Sequence, residues 1–305
     1  MNRPFWLIAS IAAAAIAVAV AFVVWIRWTR PPATMDLYAR LPYADRMVVA
    51  IDFRALRTAH LLAELPGQTE ESDYKSFVRE TAFDYKKDLD HLIFAASGVE
   101  THAWLIGRFD WRRIQLYIQK QGGKCLRGVC SMDSQTPGRM ISVTRYRSGT
   151  LAFTSAPGSD AMRKMMQKPS VLPPPPPPSK PLWIYLPHGQ LTRANTFSGS
   201  MRFFAAALSD AERAFLSVGP KDGRFEAVLE AVCPNESVSR QATRELQAAT
   251  VLVTRLLARE KQTPDPSNLS GVLARGTFVQ DGNKLVGTWP IEKAFLDSLT
   301  LETAR

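Results

Sequence analysis

The hydrophobic pattern opens with an apolar segment from Phe5 to Ile26 that is interrupted by a single serine. As a helix, this segment would span about 33 Å, enough to cross a hydrocarbon core of roughly 30 Å. It is longer than the apolar region of a secretory signal, and Trp6 and Trp25 lie near its ends, where indole rings favour the headgroup layer. The pattern predicts an uncleaved transmembrane anchor over residues 1–30 that contacts the lipid bilayer.

Beyond a spacer over residues 31–46, the pattern predicts a first α+β domain over residues 47–168. Runs of β-branched or alternating apolar residues indicate strands, and apolar residues three and four apart indicate helices. The predicted order is strand, helix, strand, strand, helix, strand, strand, helix. Strands are predicted at 47–51, 92–96, 103–109, 139–145 and 150–154, and helices at 53–65, 73–81, 111–121 and 160–167.

Six consecutive prolines, Pro173 to Pro178, indicate a boundary, because polyproline II is stiff and joins neither helix nor sheet. We assign residues 169–181 to a proline-rich linker and residues 182–305 to a second α+β domain. The predicted fold is therefore α+β, with an N-terminal transmembrane helix and two similar antiparallel-sheet-plus-helix domains, each β-α-β-β-α-β-β-α. In the second domain, strands are predicted at 182–186, 214–218, 224–233, 276–279 and 284–289, and helices at 201–208, 238–260 and 291–299.

Basic residues outnumber acidic ones, 38 to 28, giving a net charge of +10 that favours anionic partners. The densest basic stretch is interleaved with Trp111, Ile114 and Tyr117, a spacing typical of a helix with one apolar and one solvated basic face. The alternative is a dedicated anionic-surface site. No nucleic-acid-binding motif accompanies the charge, so we expect no nucleic-acid partner. The candidate residues of this site are Arg108, Arg112, Arg113, Lys120, Lys124 and Arg127.

Cys125 and Cys130 enclose the sequence Leu-Arg-Gly-Val, a loop that can bring two strand ends within disulfide distance. Two unconnected thiols, or half of a zinc site, are the alternatives, although no second Cys or His pair has ligand spacing. A disulfide persists in an oxidising compartment. The count of flanking arginines leans toward a cytoplasmic body, whereas the disulfide and the short N-terminal tail predict a single-pass inner-membrane protein with a periplasmic body.

The chain contains no catalytic motif. It lacks a G-x-S-x-G elbow, H-E-x-x-H, a P-loop and a G-x-G-x-x-G turn, and its four histidines are scattered. Asp84, Asp88 and Asp90 form an acidic cluster without the glycine of an EF-hand loop, and Asp84 is predicted to cap a helix. We assign no catalytic, metal or cofactor-binding residue, and we expect no cofactor.

Four segments resemble an uncharacterised family of bacterial membrane-anchored proteins with an N-terminal span and two related α+β halves. The resemblance implies an architecture and an extracytoplasmic location without an established activity. The segments are LPYADRMVVAIDFRALR at 41–57, TAFDYKKDLDHLIFAASG at 81–98, GRFDWRRI at 107–114 and GTFVQDGNKLVGTWPIEKAFLDSL at 276–299.

These features predict a non-catalytic binding or scaffold protein of the cell envelope. The groove between the halves, or exposed sheet edges, would contact an envelope protein or an anionic polymer. One alternative is an enzyme that acts on an envelope polymer through distant carboxylates. Another is an interaction protein held by its charge on the cytoplasmic leaflet. Converging carboxylates in a pocket would favour the enzyme, and unpaired edges the binding protein.

Overall fold

The computed structural model describes residues 32–59, 62, 72–158, 160–167, 173–193, 199–222 and 224–302. Its strands are β1 Met47–Asp52, β2 Leu89–Ala96, β3 Thr101–Gly107, β4 Lys124–Leu126, β5 Val129–Asp133, β6 Met140–Arg147, β7 Thr150–Ala156, β8 Leu182–Pro187, β9 Arg213–Lys221, β10 Arg224–Val232, β11 Thr277–Asp281 and β12 Lys284–Ile291. Its helices are α1 Thr34–Tyr38, α2 Phe53–Thr58, α3 Ser72–Thr81, α4 Tyr85–Asp88, α5 Trp111–Lys120, α6 Asp160–Met166, α7 His188–Leu191, α8 Met201–Ala207, α9 Glu236–Arg259, α10 Leu269–Leu273 and α11 Lys293–Glu302.

The predicted anchor, Phe5 to Ile26, lies outside the described residues. Among the helices that the structure does describe, none is long and apolar enough to cross a membrane. The described part of the chain therefore does not support the prediction of a single-pass inner-membrane protein.

The twelve strands that the structure describes belong to one antiparallel sheet, in the order β11-β12-β10-β9-β8-β1-β2-β3-β7-β6-β5-β4. The prediction of two separate sheets was wrong, because β1 and β8 pair across the halves. Val48 lies opposite Tyr185 and Ile51 opposite Leu182. The Asp52 N–H also donates to the Pro181 carbonyl at 2.7 Å. The α+β class and the antiparallel pairing stand, but in the described residues the two halves are joined directly by strand pairing where a groove was expected.

The two halves nevertheless repeat one strand order about the β1–β8 junction. Outward from that junction the order is β1-β2-β3-β7-β6 in the first half and β8-β9-β10-β12-β11 in the second. The β4–β5 hairpin is an additional pair that extends the first half beyond β6. By position, β6 and β11 are therefore equivalent strands.

A shared core joins the halves on one face of the sheet. Trp183 and Phe215 of the second half pack in the same buried cluster as Ile93 and Trp104 of the first. Helices α1 and α6 cover this cluster, with Tyr38 fully buried and its ring centroid 5.3 Å from that of Trp183. The segment predicted as a spacer, residues 31–46, thus supplies core residues.

The opposite face carries most of the helices. Helices α2 to α5 pack over the first half, and α8 to α10 over the second. In α9, an apolar stripe that includes Leu246 and Val253 lies on the sheet, as its spacing predicted. The predicted linker also lies against the body, where Lys180 Nζ is 3.2 Å from a Glu226 carboxylate oxygen.

Short polar side chains begin several helices. Asp52 accepts a hydrogen bond from the Ala55 N–H at the start of α2, and Asp110 accepts one from the Arg113 N–H at the start of α5. Asn235 caps α9 in the same way through the Val238 N–H. The cap at Asp84 confirms the sequence prediction. Helix α2 ends at Thr58 with Ala59 as its C-cap, and most of the remainder of the helix predicted over 53–65 lies outside the described residues.

Candidate functional site

An open hollow of about 740 Å³ lies at the N-terminal end of α5. Arg108 reaches it from the segment just before α5, Arg112 from the first turn of α5, and Arg145 from β6. Phe109 and Trp111 supply its apolar wall. The hollow therefore combines arginine side chains with aromatic surface, a composition suited to an anionic ligand that has an apolar portion.

The arginines of the hollow differ in how they are paired. Arg108 Nη2 is 3.0 Å from an Asp88 carboxylate oxygen and 2.7 Å from the Lys87 carbonyl. Arg112 and Arg145 have no ion pair with any residue that the structure describes, and both are exposed. Among the described residues, these two guanidinium groups have no carboxylate partner, so their donors are available to a ligand.

A bulge in β6 places further positive charge next to this hollow. Arg145 pairs with Leu151 and Arg147 with Thr150, so Tyr146 is the extra residue between them. Arg145, Tyr146 and Arg147 line a second hollow of about 500 Å³ together with Ser148. The guanidinium carbons of Arg40 and Arg147 each lie 5.4 Å from the centroid of the Tyr146 ring.

Arg145 lines both hollows and so links the basic groups of the two around the end of the β6–β7 hairpin. We call these groups together the arginine strip. It consists of Arg40, Arg108, Arg112, Arg145 and Arg147.

The structure divides the basic residues that the sequence grouped together. Arg108 and Arg112 belong to the strip. Arg113 pairs with Asp110 at 3.5 Å, and Lys120 pairs with Glu80 of α3 at 2.7 Å. Lys124 and Arg127 lie exposed on the β4–β5 hairpin. The sequence analysis missed Arg40, Arg145 and Arg147, although Arg-Tyr-Arg beside a Ser-Gly turn is a visible basic signal.

The β4–β5 hairpin carries the disulfide between Cys125 and Cys130. The two residues are directly opposite each other, and the turn uses Arg127 and Gly128 with φ values of 50° and 83°. Cys130 is buried beside Ile114 and Ile118 of α5. The bond therefore closes the short edge of the sheet and holds it against the helix.

Reducing this disulfide is expected to lower the free energy of unfolding by about 2 kcal/mol, the chain-entropy value for a loop of this length. Urea unfolding with and without reductant measures the difference. A variant with Cys125→Ser and Cys130→Ser is the control and should show no response to reductant, since Cys233 is a buried free thiol. Equal responses of the two proteins would contradict the stabilising role.

The three aspartates of the acidic cluster bind different partners in the structure. Asp84 caps α4 through the Lys86 N–H, and Asp88 binds Arg108. Asp90 binds Arg54 and Arg57 of α2. In the part of the chain that is described, no group of three or more His, Cys, Asp or Glu side chains could hold a metal ion. These carboxylates fix α2, α4 and the start of α5 to the sheet.

Several carboxyl groups have a lowered pKa because of their cations. Lys120 lowers the pKa of Glu80, and Arg46 lowers that of Glu100. Partial burial raises the pKa of Asp90 and Glu226, but their arginine and lysine partners outweigh it, so both pKa values still fall below the usual range. Such groups stay ionised at neutral pH and are poor proton donors.

Comparisons with known proteins give only a distant likeness. No protein-family model matches the chain, and no curated protein matches it. A crystal structure of TP0453, crystal form I, has a TM-score of 0.48 and 13% identity, covering 87% of this chain and 98% of that one. Crystal form III gives 0.44 and 13%, covering 86% and 97%, and form IV gives 0.42 and 12%, covering 84% and 93%. At this level the likeness identifies neither the fold nor the function.

Proposed function

We propose that the protein is a non-catalytic binding protein that takes up an anionic polymer along the arginine strip. One observation carries the proposal: Arg112 and Arg145 line the same hollow, and neither has an ion pair among the described residues. An arginine left without a carboxylate partner retains its full set of donors for phosphate or carboxylate groups.

The extent of the strip favours a polymer over a small anion. The two hollows share Arg145 and lie on either side of a strand bulge. A ligand that fills both must pass over the end of the β6–β7 hairpin, so it needs several charges along a chain. Phe109, Trp111 and Tyr146 offer ring surface between those charges.

The carboxylates support binding without catalysis. A carboxylate-based hydrolase needs one acid with a raised pKa next to a second carboxylate. The two aspartates of the larger hollow, Asp88 and Asp110, are bonded to Arg108 and Arg113. The geometry therefore supports a surface that holds a ligand by charge, and the enzyme alternative finds no paired acids in this hollow.

Binding of inorganic polyphosphate to the full-length protein tests the proposal. A variant with Arg112→Gln, Arg145→Gln and Arg147→Gln should bind about tenfold more weakly or worse at low salt. The slope of log affinity against log salt should become shallower by about 2, because three cations no longer displace counterions. Isothermal titration over a series of salt concentrations measures both quantities, with neutral dextran as the control ligand.

The matched control removes the same charge elsewhere. Arg244, Arg255 and Arg259 are exposed on α9. Replacing all three with Gln lowers the net charge equally and should leave the affinity within about threefold of wild type. Equal weakening by both triple variants would show that the net charge alone attracts polyphosphate, and would overturn the proposal.

A further inference from the structure

The turn of the β4–β5 hairpin holds an arginine in a backbone conformation that suits glycine or asparagine. Arg127 and Gly128 form this turn, with φ values of 50° and 83°. The left-handed region is unfavourable for a residue with a Cβ atom, and two-residue hairpin turns usually carry Asn-Gly or Asp-Gly there. The Arg127 side chain is exposed and has no ion pair with any residue that the structure describes, so packing does not explain its place. An unfavourable conformation at such a residue indicates a role for the side chain itself.

The same turn lies next to the arginine strip. In the pairing of β5 with β6, Val129 is opposite Thr144, and the Thr144 hydroxyl donates to the Gly128 carbonyl at 2.8 Å. The turn therefore reaches the level of Arg145, which follows Thr144 and lines both hollows. Because Arg127 is the next residue into the turn, an anionic ligand that contacts Arg145 can extend to Arg127 as well.

The disulfide closes this hairpin one residue pair away from the turn. Strand β4 has three residues, which pair with β5, and no strand that the structure describes pairs with its outer edge. Cys125 is bonded to Cys130, directly opposite, and only the pair of Leu126 with Val129 separates the bond from the turn. A two-stranded hairpin is marginally stable by itself. The covalent bond therefore keeps the turn closed and fixes the position of Arg127.

We propose that this disulfide regulates ligand binding at the arginine strip. In the oxidised protein the bond holds Arg127 beside Arg145, where both contact the anionic polymer. In the reduced protein β4 is released, the turn leaves its unfavourable conformation, and Arg127 no longer lies in line with the strip. The inference rests on the function proposed above, to which it adds one binding residue and a redox control.

The reductant is a dithiol, and the exchange is balanced. One thiolate of the dithiol attacks Sγ of Cys125, which is only partly buried, and the buried Cys130 leaves as a thiolate. The second thiolate of the dithiol then attacks the mixed disulfide and displaces Cys125. Two electrons pass from the dithiol to the protein, which takes up two protons and ends with two thiols, while the dithiol becomes a disulfide.

Titration of the full-length protein with inorganic polyphosphate, before and after reduction with dithiothreitol, tests the redox control. The reduced protein is expected to bind about fivefold more weakly at low salt, with a salt slope shallower by about 1, because one cation leaves the contact. The variant with Cys125→Ser and Cys130→Ser should bind like the reduced wild type and should not respond to dithiothreitol. Equal affinities of the oxidised and reduced wild type would overturn the redox control and leave the proposed function standing. An oxidised wild type that does not bind would overturn both.

Arg127→Asn separates ligand binding from the stability of the turn. Asparagine suits the left-handed position, so the urea midpoint should stay the same or rise, whereas the affinity for polyphosphate should fall about fivefold. Reduction should weaken this variant no further, since the side chain that it would release is absent. Lys124→Gln is the matched control, because it removes one exposed charge from the same hairpin and should keep the affinity within about twofold. Equal weakening by Lys124→Gln, or a full response of Arg127→Asn to dithiothreitol, would contradict the proposal.

Discussion

Replacing Trp183 with alanine is expected to destabilise the whole chain by about 3–5 kcal/mol, the usual cost of truncating a buried tryptophan. Trp183 is 5% exposed and lies on β8, opposite Ala50 of β1. Its ring packs against Tyr38 at 5.3 Å and Phe215 at 5.9 Å between centroids. The cavity would open where the two halves share their core, so both halves should lose stability together.

Two probes distinguish a loss of stability in both halves from a loss confined to one half. Circular dichroism follows the whole sheet, and labelling of the buried Cys233 thiol follows the second-half core. Both urea transitions should move to lower concentration by the same amount. Trp183→Phe, which preserves most of the ring volume, should cost less than about 1.5 kcal/mol. A shift seen by one probe alone would contradict the shared core.

The second large effect is a loss of folding stability at low pH. His102 is 4% exposed, and burial, together with the nearby Arg46, lowers its pKa from 6.5 to about 4. Arg46 Nη1 lies 3.2 Å from His102 Nδ1, and Arg46 also binds Glu100 at 2.6 Å. Between pH 6.5 and pH 4, the unfolded chain therefore holds a proton on this residue that the folded chain does not. Folding stability should fall as the pH is lowered through this window, by about 3 kcal/mol in total.

The control for this effect is His102→Gln, which keeps a hydrogen-bond acceptor for Arg46 and removes the titrating ring. Urea unfolding at pH 7 and at pH 4 should show that the wild type loses about 3 kcal/mol more than the variant. The carboxylates that lose their charge at low pH are present in both proteins, so their contribution cancels in the comparison. Equal losses would mean that His102 is protonated in the folded state as readily as in the unfolded chain.

Local patterns predicted the elements because each pattern is set within a few residues. In β10, Ala227, Leu229 and Ala231 alternate toward one core, and the hairpin partner β9 is separated from it by a short turn. The β1–β8 pairing joins residues that are more than 130 positions apart and has no local signal. The six prolines between them even suggested a domain boundary. Only the folded register shows that the halves share one sheet.

Only part of the candidate site was predicted, because contacts between residues distant in sequence leave no local pattern. Helical spacing identified Arg108 and Arg112 on a basic surface, but it could not show that Arg113 and Lys120 are held by Asp110 and Glu80. Arg145 was assigned only to a strand end, since its position beside α5 depends on the pairing of β6 with β7. Charge along a sequence shows where basic residues lie, and the fold decides which of them remain without a partner.

The most direct test of one continuous sheet is residue-resolved hydrogen exchange of the β1 amides that point toward β8, within Val48 to Ile51. If the sheet is continuous, they exchange as slowly as the neighbouring β1 amides that point toward β2, because both sets lie in the middle of the sheet. Fast exchange of the β8-facing set, with the β2-facing set still protected, would contradict a continuous sheet. The halves would then separate at this junction, and a groove between them would again be available for a ligand.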